Sequence, residues 1–302
     1  MPAITLPGLL LRRLDEQAQA LLTGPGVPSV DFSRPAGEPA LVAPDSLSWR
    51  VFRNPVALFV GGIAAVILEL AEPRVRTGVW EHSSFRRDPL LRLRRTGLAA
   101  MVTVYGARSV AEGMIAGVVR GHERVSGRTP DGATYRANDV ELLNWVQATA
   151  TFGFGTAYRR FVRALSAEEM SGLFAEAVPA ARLYGALGAP ASAAAWEALL
   201  ESMRDRLEPS PILFEFLEIM RRTPALPAPL RPVQRLLVRA AVEMTPGWVR
   251  DRLGLTPAHG LRSWEAPLVR WMGRTADRLP WPGSPAEQAR RRLGLPADAL
   301  RR

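Results

Sequence analysis

The sequence contains no cysteine. That removes disulfides, iron–sulfur clusters, thiolate ligation of haem and cysteine nucleophiles together. Lysine is also missing, so all 39 basic residues are arginine. Schiff-base chemistry and a phosphate-loop lysine go with it. Histidine is scarce: His82, His122 and His259 are the only three. A zinc site built from several histidine or cysteine ligands finds too few donors.

What the chain does have is apolar content and arginine. Hydrophobic residues make up 47% of 302 positions, enough to bury a large core in one domain. The formal net charge is +10, a balance that suits nucleic acid, an anionic membrane surface or an acidic ligand. The arginines are scattered, with no block of five or six like charges, and read first as solvated helix faces. No groove-reading motif is present, so no nucleic-acid partner is expected. The first apolar stretch is interrupted by Arg12, Arg13, Asp15 and Glu16, which argues against a secretory signal and for a cytoplasmic location. Segment 54–71, NPVALFVGGIAAVILELA, approaches a membrane span in length. It carries Glu69 and the pair Gly61 and Gly62, and Glu72 and Pro73 follow at once. A buried central helix is expected. Peripheral membrane contact, through the arginines and this segment, stays open.

Helix punctuation recurs along the chain. Residues 4–23 read as a helix, followed by a Pro/Gly-rich linker to about Asp45. Pro55 and Pro89 suit first helical turns. Ser109 with Glu112, and Ser166 with Glu169, have capping-box spacing. SGRTPDGATYRA carries a Pro-Asp-Gly turn signature and reads as a short hairpin. Asn138 or Asp139 then starts a helix through ELLNWVQATATF, and further helical segments fall at 190–207, 210–222, 229–243, 246–253, 262–278 and 284–294. The expected fold is all-α: a single multi-helix, bundle-like domain with an internal pocket. Residues 1–47 form its N-terminal helix and linker, 48–262 its core and 263–302 a helical extension packed on the core.

Spacing brings three polar residues to one level. Arg92 and Thr96 are four apart and share a helix face. Thr96 lies ~15 Å from the end of its helix, and His122 lies ~20 Å along the next one. A tight connection makes the two helices antiparallel neighbours. The third helix adds Trp145 and Gln147. Taken from the residues alone, His122 reads first as a side chain satisfying a helix C-terminus, with ligation of a haem iron as the alternative. Arg92 and Thr96 read first as surface and helix-packing residues, with a pocket role as the alternative, and Trp145 as core packing.

The ordered segments NPVALFVGGIAAVILELAEPRVRTGVWEHSSFRRDPLLRLRRT, VVRGHERVSGRTPDGATYRANDVELLNWVQAT and LPAPLRPVQRLLVRAAVEMTPGWVRDRLGL carry a resemblance. Together they are similar to the family of the fungal mycophenolic-acid-pathway oxygenase MpaB and the bacterial latex-clearing proteins (rubber oxygenases). It covers about Trp49 to Leu255, and its specificity lies in the ordered set rather than in any one motif. The resemblance implies a helical protein with haem b held by one proximal histidine, matched by His122. Arg92 and Thr96 match the family's arginine and threonine and are implied as catalytic and haem-pocket residues. Trp145 and Gln147 are implied beside the cofactor. Gln147 stands where many relatives have histidine, and Glu72 where many have a histidine before the proline. Glu69, Glu72 and Glu81 lie in the region of the family's acid/base glutamate, and His82 matches the pattern GVWEHSSF. His259 reads as a solvent-exposed loop residue.

The function implied is an oxidoreductase: a haem-dependent, iron-containing oxygenase using dioxygen on a hydrophobic, unsaturated substrate such as a prenyl chain. The other reading is a non-catalytic member that binds a lipid or isoprenoid without redox chemistry, which Gln147 favours.

Overall fold

The computed structural model describes residues 8–301. Residues 4–7 of the expected first helix lie outside that range. Within it the chain forms α1 (Gly8–Ala20), α2 (Leu47–Arg53), α3 (Pro55–Ala71), α4 (Pro73–His82), α5 (Pro89–Tyr105) and α6 (Arg108–His122). A hairpin of β1 (Ser126–Arg128) and β2 (Thr134–Arg136) leads into α7 (Val140–Phe161) and α8 (Ala167–Leu183). There follow α9 (Ala193–Ser202), α10 (Pro211–Arg222), α11 (Arg231–Met244), α12 (Gly247–Arg252), α13 (Glu265–Arg278) and α14 (Pro285–Arg292). The fold is all-α apart from that one antiparallel hairpin, in which Gly127 pairs with Tyr135.

The helix starts follow local chemistry. Asn54 accepts from the Ala57 amide with Pro55 in the first turn of α3, and Asp88 and Pro89 do the same for α5 through the Leu91 amide. Ser166 and Glu169 close a full capping box on α8. The Ser109–Glu112 box does not form. Helix α6 starts at Arg108, and the Ser109 amide and hydroxyl donate to the carboxylate of Glu38, 2.6 and 3.0 Å away, from the linker before α2. A carboxylate distant in sequence thus satisfies the donors that a local box would have used.

Helix α3 is the centre of the molecule. Most of it is buried, and α7, α11, α13 and α10 pack around it. It crosses α7 backbone to backbone. A Cβ added to Gly153 would sit 2.3 Å from the Gly61 carbonyl oxygen, and one on Gly61 would sit 2.7 Å from Phe154 Cα. Among the described residues no single helix is long and apolar enough to cross a membrane. The pair α2 and α3, bent by 97°, reaches that length and composition together.

Candidate functional site

Beside α3, between it and α5 to α8, lies a cavity of about 590 Å³ with a largely apolar wall. Its lining also draws on α1, α2, α4, α10 and α14. Phe52, Phe59, Phe154 and Phe216 are among the aromatic contributors. A space of this volume with a few polar groups on an apolar wall is the ordinary form of a small-molecule site.

The polar groups are those to which the sequence points, with one exception. Arg92, Thr96, His122 and Gln147 all line the cavity, and so does Glu69. Trp145 does not. It is fully buried on the other side of α7, where its indole donates to the Leu68 carbonyl at 3.2 Å and stacks on Trp196 at 5.7 Å. Trp145 and Gln147 are two apart, about 200° around a helix, so one face cannot hold both. Cavity-lining positions on α7 instead follow the spacing 143, 146, 147, 150, 151 and 154.

Glu69 comes from the last turn of α3 and is half-buried on the cavity wall. Burial pushes its carboxyl up to about 7, opposed by the charge of Arg92 and a long contact from the Thr149 hydroxyl. No ion pair within 4 Å engages it among the described residues. The guanidinium of Arg92 is held below its ordinary value by burial, with Glu69 pulling the other way. Arg92 donates to Thr96 Oγ1, and that hydroxyl donates to the Arg92 carbonyl at 2.9 Å. Thr96 itself is exposed, so the wall reaches the surface there. The other two carboxylates are structural. Glu72 caps α4, accepting from the Val75 amide at 2.8 Å and from Arg74 at 2.7 Å. Glu81 meets the Tyr135 hydroxyl at 3.4 Å, and His82 meets the same hydroxyl at 3.2 Å. His259 closes a turn with Thr256 and is half-buried.

His122 ends α6, and the hairpin after it folds the chain back so that Asn138 stands beside the ring. Burial lowers the imidazole pKa, Asn138 raises it, and Arg92 lowers it further. The ring is therefore neutral near pH 7 with a lone pair available. Asn138 Nδ2 donates to the Val119 carbonyl at 3.1 Å, which fixes the amide. Its Oδ1 and His122 Nδ1 are both buried without a hydrogen-bond partner. An acceptor and a potential donor, each unsatisfied, thus lie on neighbouring side chains. Asn138 escaped the sequence reading as a site residue because it is read there only as a helix start. Tyr184, whose hydroxyl meets Thr103 Oγ1 at 3.3 Å on the cavity wall, carried no motif at all.

Among the described residues no group of three or more His, Asp or Glu is arranged to hold a metal ion. The donor set is one imidazole facing an apolar space.

A family model described as the catalytic domain of ER-bound oxygenase mpaB/B' and rubber oxygenase matches residues 49–278, about three quarters of the chain. No curated protein and no solved structure matched.

Proposed function

Because the chain belongs to the mpaB/rubber oxygenase catalytic-domain family and is of an oxygenase type, we propose that it is a haem b-dependent oxygenase acting on a hydrophobic, unsaturated substrate such as a prenyl chain. The observation that carries this reading is His122, an imidazole on the wall of a large apolar cavity, where burial favours the neutral ring.

The residues fit the group. A bare metal ion would need three or more protein donors, whereas a porphyrin brings four of its own and asks the protein for one imidazole. The unsatisfied His122 Nδ1 beside Asn138 Oδ1 suits a ring that donates through one nitrogen and ligates through the other. Arg92 would pair with a carboxylate of the cofactor, and Gln147 would offer an amide hydrogen bond but no strong ligand. When bound, the haem supplies the activation of dioxygen.

The chain's own residues do the rest. The aromatic and aliphatic wall binds a hydrocarbon chain and excludes water. Glu69, with its carboxyl near 7, holds a proton in part of the population at neutral pH and accepts one in the remainder. That is the condition for a general base or acid beside a substrate carbon. Arg92 limits how far burial can raise Glu69 and keeps a positive charge at the site.

Hemin added to the purified protein is expected to give a Soret band that His122→Ala abolishes and that His82→Ala and His259→Ala leave intact. Absence of the band in the unaltered protein sinks the proposal. Gln147, an amide on the wall where a further imidazole would strengthen haem retention, favours the second reading, a metal-free isoprenoid-binding protein. A colourless, iron-free preparation that retains a polyprenol in the same cavity would support that reading.

A further inference from the structure

Helix α13 turns an unusual face to solvent. Trp264, just before its first residue, is 61% exposed, Leu268 40% and Trp271 63%. At about 100° per residue these three fall within an arc of roughly 60°, with exposed Pro267 beside them. None lines the cavity. Neither indole is in a ring contact or a hydrogen bond among the described residues. Arg262, Arg270 and Arg274 are exposed around the stripe, and among the described residues no carboxylate within 4 Å neutralises them.

The acidic residues of the same helix point inward. Glu265 is buried against Arg239 at 3.1 Å, and Asp277 faces Arg53 at 3.8 Å. The outer face of α13 therefore combines two amphipathic aromatic rings, a leucine and uncompensated positive charge. The inner face is anchored by Val269 and by Gly273, whose Cα lies against the Phe161 carbonyl of α7.

We infer that the outer face of α13 docks on an anionic lipid surface, with Trp264, Leu268 and Trp271 in the headgroup layer and Arg262, Arg270 and Arg274 on lipid phosphates and carboxylates. Tryptophan prefers this layer because its ring is apolar and its N–H needs a polar partner. Arginine beside it adds attraction to anionic lipid. A second copy of the chain is the poorer occupant, because a two-fold contact on this stripe would bring the same arginines of both copies together. This surface is separate from the buried segment 54–71.

The test is flotation of the purified chain with phosphatidylcholine vesicles, with and without phosphatidylserine. Binding is expected to the anionic vesicles, weakening with salt. The Trp264→Ser, Trp271→Ser double variant should lose at least about tenfold in partition, and Arg270→Gln or Arg274→Gln roughly fivefold each. Arg12→Gln with Arg13→Gln, exposed on α1, should change little. All these sites are exposed, so an unchanged melting curve shows that the fold is kept. The inference is overturned if the unaltered protein does not float. It is also overturned if the tryptophan variant floats equally, or if the α1 variant loses as much as the α13 variants. A dimer in sedimentation that the tryptophan substitutions dissolve, without vesicle binding, would assign the face to a second copy instead.

Discussion

Glu69 is a half-buried carboxylate that makes no ion pair within 4 Å among the described residues, and this has a consequence for stability. Its carboxyl titrates at about 7 in the fold against 4.5 as an ordinary carboxylate. Between those values the native state keeps a proton that the unfolded chain has released. Its contribution to stability is complete below pH 4.5 and fades as the pH rises to about 7, by an amount on the order of 3 kcal/mol. His122 acts in the opposite sense, because its folded value lies below 6.5. The difference between the unaltered protein and Glu69→Gln isolates the carboxylate. Urea melts between pH 5 and 7.5 should show the variant gaining relative stability as pH rises; parallel curves would refute the assignment. Asn138 gives a second prediction. With only three histidines, nitrogen NMR of the haem-free chain should show His122 as the Nδ1–H tautomer, shifting toward Nε2–H in Asn138→Leu and not in Asn138→Asp. No tautomer change in the leucine variant would remove Asn138 from the role.

Among the elements, the crossing of α3 and α7 carries the most strain-sensitive contact. Gly153→Ala would ordinarily favour a helix slightly, but here its Cβ would lie 2.3 Å from the Gly61 carbonyl. A loss of roughly 1–3 kcal/mol is expected from thermal melts, and a neutral result would show that the helices separate easily. The same scale shows what the sequence made legible. Asn54 with Pro55, Asp88 with Pro89, and Ser166 with Glu169 mark true helix starts because each cap is local. Helices α2 and α4 were not anticipated. They are short, and their N-terminal caps, Ser46 and Glu72, stand in stretches read as linker and as candidate chemistry. Ser109 and Glu112 mislead for the converse reason: the cap comes from Glu38, some seventy positions earlier.

For the molecule as a whole, the common level of Arg92, Thr96 and His122 on the cavity wall was legible because helix spacing and a tight connection set it, whereas Gln147 came with the family resemblance. Asn138, Tyr184 and the choice of Glu69 over Glu72 and Glu81 were not legible, because they depend on which faces meet. The 263–302 segment is more than a covering: Trp281, Ser284, Pro285 and Ala286 belong to the cavity wall, as do Asp15 and Gln19 of α1. Truncation after Arg278 should therefore open the cavity. A hydrophobic dye should bind the shortened chain more strongly while circular dichroism keeps the remaining helices. Unchanged dye binding would place the wall elsewhere.

The glycine contact between α3 and α7 also bears on redesign. Two main chains already touching leave no slack on that side of the chamber, so attempts to accept a bulkier substrate by trimming residues near the crossing would meet a fixed beam. Room is more readily made where side chains rather than backbone form the wall, as at Leu173 of α8, Phe216 and Met220 of α10 and Pro285 of α14.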